Sequence, residues 1–118
     1  MKLKTVVVDL DGTLCEPNLQ YEDTKRRYGQ AKPKLNVIEK LRQSNLYIII
    51  HTARRMKTHK GDIEKIKKDV EQITTDWLKL HNVKYDELIF GKPYSDTYYI
   101  DDKALSVSDF LKKRIEDD

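Results

Sequence analysis

Two aspartates, Asp9 and Asp11, stand one residue apart at the end of the apolar run Val6-Val7-Val8, followed by Gly12, Thr13 and Leu14. Alternate residues of an extended segment share a side, so both carboxylates project together from the strand end. Gly12 frees the backbone to turn sharply and lets a ligand come close. Carboxylates held this near repel each other unless a cation lies between them. One of them can attack as a nucleophile while the other, at a different pKa, handles a proton. Taken alone, the same residues would describe a polar turn after a buried strand.

Three further groups change that balance. Thr52 follows a second apolar run, Leu46-Tyr47-Ile48-Ile49-Ile50, just after His51, and offers a hydroxyl and a nearby backbone amide to a phosphate oxygen. Lys92 brings a point charge between Gly91 and Pro93. Asp101 and Asp102 follow a fourth predicted strand, residues 97–100, and complete a donor set for a hard dication. Magnesium suits it, because that ion takes few protein carboxylates, keeps waters and accepts a phosphate oxygen. Nucleophile, metal, hydroxyl and lysine together describe in-line phosphoryl transfer with electrostatic stabilisation. Each is unremarkable singly, Lys92 above all in a chain with 23 basic residues. Their order, each after an apolar run, carries the reading.

The elements that must position these groups follow from periodicity. Residues 3–9 predict a buried strand, and residues 15–32, polar and irregular, a flap over its end that holds at most a short hairpin. Pro33 with Leu35, Ile38 and Leu41 predicts a helix ended by Ser44 and Asn45. A strand over 46–50 and a basic connector over 54–61 come next. From Asp62 as N-cap, Ile63, Ile66, Val70, Ile73, Trp77 and Leu80 mark a long amphipathic helix closed by Asn82. Strands are expected at 87–90 and 97–100, then a helix capped by Ser106 or Ser108 and a fraying acidic tail at 116–118. The alternation predicts an α/β fold, a Rossmann-like three-layer sandwich with a mostly parallel central sheet and no separate cap domain. Ligands of such sheets bind beyond the carboxyl ends of the strands, where all these polar groups fall.

At 118 residues the chain makes one domain, 1–118, with a real core. Charged residues are 36% of the chain but interspersed, with a net charge of +3, which argues for a solvated surface and against nucleic acid as partner. Cys15 is the single cysteine, which excludes an internal disulfide and a cysteine-based zinc cluster. Met1-Lys2-Leu3-Lys4 runs straight into strand without an apolar leader, and no stretch approaches a membrane span, so a cytoplasmic protein is expected.

Asp9-Leu10-Asp11-Gly12-Thr13-Leu14 resembles the first signature motif of the haloacid dehalogenase (HAD) superfamily. His51-Thr52-Ala53-Arg54 is similar to its second motif, Lys92 to its third and Ile100-Asp101-Asp102 to its fourth, in the family's order. The resemblance implies a magnesium-dependent phosphatase. Asp9 would form an aspartyl-phosphate, and Asp11 would protonate the leaving group and then activate water. Thr52 and Lys92 would hold the phosphoryl oxygens. Asp9, the Asp11 carbonyl and Asp101 or Asp102 would ligate magnesium. Gly12, Thr52, Ala53, Arg54 and Lys92 are the expected substrate contacts. Arg54 is favoured within the basic group Arg54, Arg55, Lys57, His59 and Lys60 because it adjoins Thr52. His51 is expected to be a packed strand-end residue, not a base.

The run 52–58, Gly61, the helix carrying Trp77 and Leu78, and Lys84-Tyr85-Asp86-Glu87 resemble short HAD proteins of capsule or polysaccharide biosynthesis. A sugar phosphate is the implied substrate, and self-association is compatible with an uncapped site. The rivals are a nucleotidase or nucleic-acid end phosphatase, and a non-catalytic binding subunit.

Overall fold

The computed structural model describes residues 4–114. Three strands, β1 (Thr5–Val8), β2 (Tyr47–Thr52) and β3 (Glu87–Phe90), form an all-parallel sheet in the order β1-β2-β3. Val8 is registered with Ile50, and Thr52 with Phe90. Helices α1 (Leu35–Arg42) and α2 (Ile63–Leu80) are the crossovers, and α3 (Val107–Lys112) follows the sheet. This is the Rossmann-like α/β arrangement expected.

Two successive right-handed crossovers running the same way across a sheet lay both helices on one face. The packing agrees. Ile48 and Ile50, wholly buried, share one cluster with Val37, Ile38 and Leu41 of α1 and Trp77 and Leu78 of α2. Ile66 and Val70 of α2 close a second cluster over Phe90 and Tyr28. The opposite sheet face is open: Val7 is 64% and Ile89 42% exposed.

The α2 periodicity is realised with its caps. The Asp62 side chain accepts the Lys65 amide at 3.3 Å. At the other end Asn82 takes the left-handed conformation (φ 53°), and the Val83 amide returns to the Leu78 carbonyl. Strand β2 runs two residues beyond the expected stretch, so His51 and Thr52 belong to the ladder. Ser106 caps α3 by accepting the Asp109 amide. Helix α3 packs on α1, where Lys40 Nζ donates to the Phe110 carbonyl. The beginning of the first predicted strand, the Ile115 end of the last helix and the acidic tail lie outside the described residues.

Two expectations are corrected. No fourth strand forms over 97–100. Local bonds engage that stretch instead: Ser95 Oγ donates to the Tyr98 carbonyl, the Thr97 amide to Ser95 Oγ, and the Tyr99 hydroxyl to the Pro93 carbonyl at 2.6 Å. The flap, in turn, contains a π-helical turn (Lys25–Gly29) and no hairpin. It is tied down through a bridge between Cys15 and Pro33 and by the Trp77 indole, whose N–H donates to the Ala31 carbonyl at 2.9 Å. Buried Tyr28 fills the space beneath it.

Candidate functional site

The chain reverses direction immediately after β1. The Leu10 carbonyl collects the amides of Thr13 and Leu14, and Gly12, at φ 91°, donates to the Cys15 carbonyl at 2.8 Å. That turn sets Asp9 and Asp11 side by side at the carboxyl end of the sheet. Asp9 stays accessible, its side chain 37% exposed, and takes Thr13 Oγ1 at 3.4 Å on one oxygen and Lys92 Nζ at 3.3 Å on the other. The Lys92 ammonium also lies 4.2 Å from the Tyr99 ring centroid. Lys92 is delivered by the end of β3, where its amide donates to the Thr52 carbonyl.

Gly91 makes that delivery possible. Its φ is 100°, and a Cβ there would stand 2.7 Å from Ile63 Cδ1. Gly91→Ala is therefore expected to cost about 1–2 kcal/mol in a urea melt and to reduce any turnover that depends on Lys92.

Asp11 is held differently. Arg54 Nε and Nη2 grip its two oxygens at 2.9 Å each, while Arg54 Nη1 donates to Thr74 Oγ1 at 2.9 Å. The guanidinium lies 4.3 Å from the Tyr28 ring centroid and its side chain is fully buried. Arg54 is thus a buried internal partner of Asp11, next to Thr52. Thr52 is itself buried, its Oγ1 accepting the Arg54 amide at 3.1 Å, which leaves the hydroxyl proton for donation. Ala53 is half-buried beside it. The Gly12 carbonyl is occupied by Lys34 Nζ at 2.9 Å.

The neighbouring groups have defined electrostatics. Burial pushes the His51 imidazole below its ordinary value, with the Lys92 charge adding to it and Asp9 opposing. Cys15 donates to Asp11 Oδ1, and its thiol is pushed from 9.0 up to about 12, first by burial and then by the Asp11 charge. The folded chain therefore keeps a proton that the unfolded chain releases above pH 9. This contribution to stability is complete below pH 9 and is lost as the pH rises toward 12. Urea midpoints of Cys15→Ala should fall less over that range than those of the wild type. Iodoacetamide should leave Cys15 unmodified until the chain unfolds.

Asp9, Asp11, Thr52, Arg54 and Lys92 are thus brought together. Asp101 and Asp102 are not: both are exposed, and Asp101 Oδ1 accepts the Lys103 amide at 2.8 Å. Among the described residues no group of three or more His, Cys, Asp and Glu side chains is gathered to hold a metal. The expected donors fit magnesium in kind, all hard oxygens, but one chain does not assemble them. Also among the described residues, no helix is long and apolar enough to cross a membrane.

Sequence reasoning missed the roles of Thr74 and Tyr28. A lone threonine on the buried face of α2 was the available signal for the first; for the second, Tyr28 stood out with Tyr21 as a large apolar group of the flap, without a sign of its place over Arg54.

These features define an α/β protein with an acidic pair and a lysine at the carboxyl edge of a parallel sheet. A crystallised MCSG target from Vibrio cholerae is 42% identical, with a TM-score of 0.85 over 98% of this chain and 93% of that one. The chain belongs to the same family as that protein. Chains of the Pnkp1/Rnl/Hen1 complex (20% identity, TM-score 0.52) and of the Pnkp1/Rnl/Hen1 RNA repair complex (19%, 0.51) share its fold. The match covers 84% and 93% of this chain but only 31% and 30% of those. No family model and no curated protein matches the chain.

Proposed function

We propose that the chain is a phosphomonoester hydrolase of the HAD type, acting through Asp9 on a phosphorylated sugar or related small metabolite. The observation that carries this is the accessible Asp9 carboxylate paired with Lys92 on one side and flanked by the clamped Asp11 on the other. Asp9 attacks phosphorus, the bond to the leaving oxygen breaks, and Asp11 gives that oxygen a proton. Water then attacks the aspartyl-phosphate, Asp11 takes the water's proton, and phosphate leaves with Asp9 restored. Arg54 occupies one lone pair on each Asp11 oxygen and the Cys15 thiol a second on Oδ1, so the outer lone pair of Oδ2 remains for the travelling proton. Lys92 and the Thr52 hydroxyl hold phosphoryl oxygens. Magnesium would supply positive charge to the phosphoryl group, and Asp9, the Asp11 carbonyl and Asp101 or Asp102 would hold it.

A small substrate is favoured over a polynucleotide because the basic connector is largely spent on the fold. Arg54 serves Asp11, while Arg55 pairs with Asp69 and the Glu22 carbonyl. Phosphate release from sugar phosphates, nucleotides and 3′-phosphorylated oligonucleotides, with magnesium and with chelator, tests the reading. Preference for an oligonucleotide would overturn the substrate class, and silence of the folded protein across the panel would overturn the activity.

A further inference from the structure

Parallel sheets bury both faces, and here nothing among the described residues covers one of them. Both crossovers lie on the other side, and α3 packs against α1. The open face carries Val7, Ile89 and half-buried Ile49, and among the described residues β1 is an edge strand. The same chain exposes Tyr94, Tyr98, Tyr99, Ile100 and Leu105 in one arm, Ile100 at 98%. The arm is β-prone in composition and is tethered at both ends, by the Lys92 amide on Thr52 and by α3 on α1.

The chain as a whole, ends included, also exposes more surface than a typical folded monomer of its mass. A chain of 14.0 kDa is expected to expose about 6,700 Å² when folded alone, whereas this one exposes 8284 Å². The excess is roughly twice the ~800 Å² that each partner gives to a standard interface, so the arm and the open face need supply only half of it. An apolar arm and an apolar acceptor face on one chain satisfy each other reciprocally in a two-fold pair.

From this we infer that the chain works as a homodimer in which residues 94–105 of each copy cover the open β1-β2-β3 face of the other. Asp101 and Asp102 then reach the partner's Asp9, which accounts for a donor set that one chain leaves apart. This second part rests on the proposed phosphatase site, and the first does not.

Mass by light scattering tests the pairing without reference to activity. The wild type is expected at twice 14.0 kDa, and Ile100→Glu and Val7→Glu at 14.0 kDa. Both side chains are exposed in the single chain, so both variants should keep the wild-type circular dichroism. A monomeric wild type, or a dimer that neither variant weakens, would overturn the pairing. Equimolar mixing of inactive Asp9→Asn with inactive Asp101→Asn/Asp102→Asn tests the shared site. Random exchange puts one complete site in each mixed dimer, restoring about a quarter of wild-type turnover. No restoration, from a wild type that does turn over, would show that each arm serves its own chain. A wild type without turnover would sink the phosphatase reading and leave the mass result standing.

Discussion

Asp9→Asn is expected to lower phosphate release by about four orders of magnitude or more, the scale seen when a covalent nucleophile is removed. An amide oxygen is a poor nucleophile and makes a poor leaving group for the second step. The fold should barely notice. Asp9 is partly exposed and its ion pair with Lys92 spans 3.3 Å at the solvent edge, so its loss costs no more than about 1 kcal/mol. The pairing of near-total inactivity with an unchanged urea midpoint is the signature of a chemical role. Comparable losses of both would point to a structural one. Phosphoprotein trapped by acid quench of the wild type, and absent from Asp9→Asn, would identify the intermediate directly.

Arg54 should behave in the opposite way, moving stability and activity together. Its removal leaves the half-buried Asp11 carboxylate and the buried Thr74 hydroxyl without their partner, a loss of about 2–3 kcal/mol, less than for a fully buried pair because Asp11 keeps contact with solvent. That is a large part of the 5–15 kcal/mol typical of a domain. Arg54→Lys should recover only part of it, since an ammonium cannot grip two carboxylate oxygens in a plane. In a double-mutant cycle, Arg54→Met with Asp11→Asn should cost clearly less than the sum of the singles. Kinetics separate positioning from mere support of the fold. With Asp11 no longer aimed, alkyl phosphates, whose leaving oxygen needs a proton, should slow at least tenfold more than an aryl phosphate. Equal slowing of both substrate types would leave Arg54 a structural role alone.

Periodic patterns that bury a face were legible in the sequence, and contacts across the fold were not. The α2 spacing, the Asp62 cap and the Asn82 exit all rest on nearest-neighbour chemistry, and the structure realises them. Asp9, Asp11, Thr52 and Lys92 converge because the topology of a parallel sheet puts strand ends on one edge. The adjacency of Arg54 to Thr52 was visible, whereas its partners Asp11 and Thr74, 43 and 20 residues away, were not. Residues 97–100 have the composition of a strand, but β-propensity reports fit to a neighbouring surface, and within one chain no strand stands beside them.

The bond from the Trp77 indole to the Ala31 carbonyl gives the molecule its own optical gauge. Trp77 is the chain's single tryptophan, so emission excited at the red edge comes from one ring. That ring reads the distance between the long helix and the flap. Any compound that lifts or seats the flap must stretch or strengthen this one N–H donation and shift the emission. Titrations against phosphorylated compounds can thus be followed in the unlabelled protein, including compounds that bind without being hydrolysed.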